Sequence, residues 1–182
     1  MLPEEGKQLL ALARKSIETR FSNDKLDISK YEKFNKEQGV FVTLHEGGEL
    51  RGCIGFPYPT YPLQKAIVEA ARAAAFEDPR FLPLDKSELK KIEIEISVLS
   101  VPEELKVKDA DEYVKKIRIG EDGLIIKADF TSGLLLPQVF TEYKCTPKQA
   151  LEMTCQKAGL PRDAWKDLSN RISRFQAQIF CE

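Results

Sequence analysis

The sequence holds a single histidine in 182 residues and four cysteines, none of them in a C-x-x-C pair. That scarcity removes whole chemistries. A papain-like mechanism needs a histidine base beside its thiol, and a structural zinc site needs closely spaced Cys and His. No cofactor or metal is expected. Cys53, Cys145, Cys155 and Cys181 instead read as free thiols of a reducing, cytoplasmic compartment. There is no apolar run long enough to span a bilayer, and the opening Met1-Leu2-Pro3-Glu4-Glu5 is acidic rather than signal-like, so membrane association is not expected. Nor does one sign of charge dominate: 28 basic residues against 29 acidic ones leave a net charge of −1. A nucleic-acid partner held by phosphate neutralisation is disfavoured on that ground. P-loop, Rossmann, nucleophile-elbow and EF-hand signatures are all missing.

What the chain does have is length and pattern. At this size it can bury about 70 % of its unfolded surface, enough for one self-sufficient domain. Leu9, Ala13, Ile17 and Phe21 recur at helical spacing and predict a helix over residues 3–21. A second helix, over 62–77, starts at Pro62 and is stopped by Asp78-Pro79; its inner face is chiefly alanine, which suits close approach to a sheet. Residues 92–100 alternate as a strand with Ile92, Ile94, Ile96 and Val98 inward. Residues 118–129 read as a hairpin turning at Asp122-Gly123, and 134–139 as a buried strand ended by Pro137. Thr146-Pro147-x-Gln149 is a capping box opening a helix that ends at Gly159. Residues 174–182 close the chain as one alternating strand. Hairpins outnumber βαβ units, so the expected class is α+β with mainly antiparallel sheet packed against helices.

The chemistry concentrates in residues 40–56, VFVTLHEGGELRGCIGF. This is a hairpin broken at Gly47-Gly48, and its register decides which side chains share a face. A two-residue loop mixes polar and apolar groups on both faces. A three-residue loop, Glu46-Gly47-Gly48, sets Val40, Val42 and Leu44 with Leu50, Gly52 and Ile54. Phe41, Thr43, His45, Glu49, Arg51 and Cys53 then take the other face, so this register is the expected one. His45 falls about 13 Å from Cys53 along the strand and is no base for it. Arg51 and Cys53, two apart on one strand, point the same way, and a nearby guanidinium favours the reactive thiolate. Gly52 and Gly55 leave room for a ligand or for another backbone. Two readings stand side by side: Cys53 as a functional thiol, and Cys53 as a small packing residue.

Five blocks carry a specific likeness: LRGCIGF at 50–56, DPRFLPL at 78–84, EISVLSVPE at 95–103, GLLLPQV at 133–139 and CQKAGLPRDAW at 155–165. In this order they resemble the AMMECR-type family, which in prokaryotes corresponds to protein A of the AmmeMemoRadiSam system. The resemblance implies one domain over 1–182 built of two unequal, interleaved lobes with a cleft between them. It makes Leu50–Phe56 the candidate functional element. An enzyme or enzyme component would use Arg51 as anion anchor and Cys53 as nucleophile on a small anionic or carbonyl-bearing substrate. Gly52, Gly55, Asp78, Arg80 and Gln138 would bind that substrate. The resemblance further implies association, in trans, with a Memo-like protein and a radical SAM enzyme. The competing reading is a non-catalytic module that docks on a partner through the hairpin.

Overall fold

The computed structural model describes residues 1–22 and 24–182. In chain order its helices and strands are α1 (Pro3–Glu18), β1 (Val40–Glu46), β2 (Glu49–Phe56), α2 (Leu63–Phe76), β3 (Ile92–Leu99), β4 (Glu103–Glu104), α3 (Asp111–Lys116), β5 (Gly123–Ala128), β6 (Thr131–Leu135), α4 (Pro137–Glu142), α5 (Pro147–Lys157), β7 (Arg171–Phe175) and β8 (Ala177–Cys181). The fold is α+β. The chain divides into two compact units, one of residues Met1–Leu99 and Gln178–Glu182, the other of Ser100–Ala177.

The first unit is a four-stranded sheet in the order β2-β1-β3-β8. Its core is formed by the alternating residues Val40, Val42 and Leu44 of β1 and Ile92, Ile94, Ile96 and Val98 of β3. Against them pack Leu9, Leu12, Ala13 and Ile17 of α1 and the alanine face of α2. Alanine there has a geometric purpose: a Cβ on Gly52 of β2 would lie 2.1 Å from the Ala74 carbonyl oxygen, so strand and helix meet backbone to backbone. Between α1 and β1, Ser29–Phe34 forms a 3-10 turn that buries Tyr31 and Phe34. The second unit is a sheet in the order β4-β7-β5-β6, with Leu124, Ile126 and Ile172 packed on Phe140, Leu151, Cys155 and Trp165.

Three sequence expectations need correction. The 118–129 hairpin does not turn at Asp122-Gly123: that dipeptide precedes β5, which turns into β6 after Ala128. Asp122 closes a tight turn onto Arg118, and Gly123 is needed because a Cβ would strike the Phe175 ring at 2.4 Å. The strand expected at 134–139 lies earlier, as β6, and Pro137 begins α4 rather than ending a strand. The single C-terminal strand is two. β7 belongs to the second sheet and β8 to the first, with the break at Gln176.

Candidate functional site

The hairpin combines features of both registers weighed from sequence. Its loop has two residues, Gly47 and Gly48 at φ +61° and +83°, so Glu46 faces Glu49 and His45 faces Leu50. A bulge then intervenes, and from there Leu44 faces Gly52, Thr43 faces Cys53 and Phe41 faces Gly55. Arg51 is the extra residue. The three-residue loop is therefore wrong, yet its division of faces survives beyond the bulge: Val42, Leu44, Gly52 and Ile54 on the core side, Thr43 and Cys53 on the other.

Cys53 is half-buried, and the Thr43 hydroxyl donates to its Sγ at 3.3 Å. β2 is an edge strand, so the outer N–H and C=O of Cys53 have no strand to bond. The turn after α2 supplies partners instead. The Asp78 carboxylate accepts the Cys53 N–H at 2.8 Å, and Arg80 Nη2 donates to the Cys53 carbonyl at 3.2 Å. Asp78 and Arg80 are themselves joined in a fork, Nε to Oδ1 at 2.9 Å and Nη2 to Oδ2 at 2.7 Å. The Asp78 side chain is only 2 % exposed, whereas that of Arg80 is 53 % exposed. Hydrogen bonding from Arg80 holds the Asp78 carboxyl far below the ordinary carboxylate range, against the upward push of burial; the Cys53 N–H adds to the lowering.

Arg51 is held elsewhere. Its Nε and Nη2 grip the Glu88 carboxylate at 2.7 and 3.1 Å, and Nη2 also donates to the Leu82 carbonyl at 3.1 Å. Phe81 lies between the two arginines, its ring centroid 5.9 Å from the Arg51 guanidinium and 5.6 Å from that of Arg80. The guanidinium bonded to the Cys53 carbonyl is that of Arg80, whose own pKa is raised chiefly by its hydrogen bond to Asp78.

Of the residues singled out from sequence, Cys53, Asp78 and Arg80 converge. Arg51, on β2, bonds the turn at the Leu82 carbonyl and is otherwise committed to Glu88. The space beside Gly52 is filled by the α2 backbone, and that beside Gly55 by the Val40 carbonyl and the Phe41 ring. Gln138 lies on α4, in the second unit. His45 faces Leu50 on one side and Glu93 on the other. Sequence reasoning missed Glu88 as the partner of Arg51, which lies 37 residues away with no motif linking the two. The segment after β2 folds back as a lip: Phe56 and Tyr61 meet edge-on at 5.4 Å and wall a groove of about 500 Å³ with Lys65, Val68 and Glu69. Among the described residues no group of three or more His, Cys, Asp or Glu side chains is placed to hold a metal ion, and no helix is long and apolar enough to cross a membrane.

Chemically, the arrangement offers a thiol that accepts from the Thr43 hydroxyl, on a residue whose backbone N–H and C=O are held by Asp78 and by the half-exposed Arg80 guanidinium. Comparison with known proteins gives the frame for it. The chain is 47 % identical to a protein of Methanothermobacter thermautotrophicus, over 98 % of this chain and 95 % of that one. It is 48 % identical to Protein MJ0810 of Methanocaldococcus jannaschii, over 98 % and 90 %. The crystal structure of uncharacterized protein PH0010 from Pyrococcus horikoshii superposes with a TM-score of 0.91 at 41 % identity, covering 98 % of this chain and 92 % of that one. The AMMECR1 family model matches residues 10–180, and on these grounds the chain belongs to the AMMECR1 family.

Proposed function

We propose that this protein binds a small anionic or carbonyl-bearing compound against the outer face of β2, with Cys53 as the reacting or anchoring thiol, as an enzyme or a component of one. Arg80 is the cation such a ligand meets first. Arg51, gripped by Glu88, secures the turn that carries Arg80. One observation carries the reading: a buried carboxylate and an arginine are both committed to the peptide of a single cysteine. These bonds close the open edge of β2 and at the same time hold the residue that bears the thiol in a fixed orientation. Part of the same reading is a reducing, cytosolic setting with free thiols, and association in trans with a Memo-like protein and a radical SAM enzyme, as the AMMECR-type resemblance implies.

The test compares iodoacetate with iodoacetamide at Cys53 and at Cys181, read by mass spectrometry. Both reagents need the thiolate, so their rate ratio isolates attraction of the anion. Cys181 is the internal control, its Sγ 3.8 Å from the Glu95 carboxylate. The ratio should be higher at Cys53 and should fall in Arg80→Met. Equal ratios at the two cysteines would sink the proposal.

A second reading has its own support. Leu82, whose carbonyl accepts from Arg51, is 84 % exposed, and Leu50, which precedes Arg51 in β2, is 40 % exposed. Apolar side chains beside a rigid turn suit a docking surface for a partner protein. Full partner binding by Cys53→Ser, with loss in Leu82→Asp, would favour that reading over the first.

A further inference from the structure

The second unit holds a polar cavity of about 200 Å³ lined by Ser100, Glu103, Arg118, Asp122, Arg174 and Phe175, among others. We propose that it takes a small molecule carrying both an ammonium and a carboxylate, in class a free α-amino acid. The inference stands independently of the Cys53 site.

Asp122 is wholly buried. Its Oδ2 accepts the Arg118 N–H at 2.9 Å and has Arg174 Nη1 3.9 Å away. Its Oδ1 is buried as well and, among the described residues, accepts no hydrogen bond; Arg118 Nη2 stands 3.7 Å from it. A buried carboxylate oxygen without a donor is rare and costly, and the group that satisfies it must enter from the cavity that Asp122 lines. A single water accounts for about 30 Å³, so the space exceeds a one-water site.

The charge pattern selects the occupant. Two acids, Glu103 and Asp122, line it together with two guanidiniums, Arg118 and Arg174; Arg118 Nη1 also pairs with Glu121 Oε2 at 2.9 Å, and its Nη2 is turned to Asp122. Glu103 Oε2 accepts from Arg174 Nε and Nη2 at 3.2 and 3.0 Å, while Nη1 donates to the Lys116 carbonyl at 3.3 Å on the side of Asp122. Arg118, with its side chain 54 % exposed, stands at the mouth. A simple anion meets two carboxylates here and a simple cation meets two guanidiniums. An amphoteric molecule satisfies both, its ammonium donating to Asp122 Oδ1 and its carboxylate accepting from Arg118.

Calorimetric titration of the full chain tests this, with L-alanine as probe and acetate and methylammonium as its separated halves. Saturable binding is expected for L-alanine alone. Asp122→Asn keeps an oxygen for the Arg118 N–H but loses the charge, and should weaken binding about tenfold or more. Arg118→Gln alters a half-exposed side chain, should fold normally and should weaken binding comparably, so it decides the matter if Asp122→Asn does not fold. The proposal is overturned if L-alanine gives no saturable heat, if acetate or methylammonium binds equally well, or if both variants bind as the parent does.

Discussion

Asp78 sets a buried negative charge against two peptide N–H groups, those of Cys53 and Arg80, and the Arg80 guanidinium answers it from the solvent side. Removing the carboxylate leaves both N–H groups without their acceptor and the Arg80 guanidinium with only the Cys53 carbonyl. Asp78→Ala should therefore cost about 2–3 kcal/mol, below the full value for a buried pair because Arg80 is half-exposed. Urea denaturation reads this directly. The same pair sets a pH dependence. The folded-state pKa of Asp78 lies below its unfolded value, so its stabilisation is complete above the unfolded carboxylate range and is lost as pH falls through and below about 4. Glu88, lowered by its hydrogen bond from Arg51, acts in the same direction. Stability measured from pH 6 downward, on the order of two to three pH units, should fall less steeply in Asp78→Asn than in the parent. An unchanged slope would contradict this account of the pair.

At the scale of elements, β2 is built around close approach. Gly52→Ala would drive a Cβ into the α2 backbone at Ala74, where no flexible side chain can give way. A loss of about 2–3 kcal/mol is expected, seen as a lower urea midpoint with little change in slope. Gly47 and Gly48 have open space around them, so their requirement is conformational rather than steric. Ala at Gly47 should cost about 1–2 kcal/mol, the penalty of a left-handed backbone for a residue with a Cβ. The hairpin also shows how far periodicity reaches. A two-residue turn plus one bulged residue has the same parity as a three-residue loop, so the faces of Thr43 and Cys53 were legible while the pairing was not. The bulge sits at Arg51, and no local propensity marks it: it lets that guanidinium reach Glu88.

At the scale of the molecule, β8 returns the chain to the first sheet after the second unit is complete. Glu182 then meets Arg14, which also donates to the Leu89 and Ile92 carbonyls, and the Phe180 ring fills the space beside Gly6. Deleting residues 178–182 should lower the thermal midpoint of the first unit by roughly 10 °C. Trp165, the one tryptophan, lies in the core of the second unit and reports on it separately. Its emission transition should stay in place while hydrogen exchange in β1–β3 accelerates. A joint shift of both probes would show that the units unfold together.

The amino-acid sequence alone determined the α+β class, most helix and strand positions, the face on which Cys53 sits and, through five blocks, the family. These follow from spacing of two or 3.6 residues and from short turn and cap signals, which act over a few positions. Tertiary structure decided the rest: that Asp78, 25 residues from Cys53, bonds its peptide, that Arg51 belongs to Glu88, that the last strand divides between two sheets, and that Asp122 faces a cavity. Such partnerships are settled by which surfaces the whole chain can bury together, and no local pattern encodes that choice.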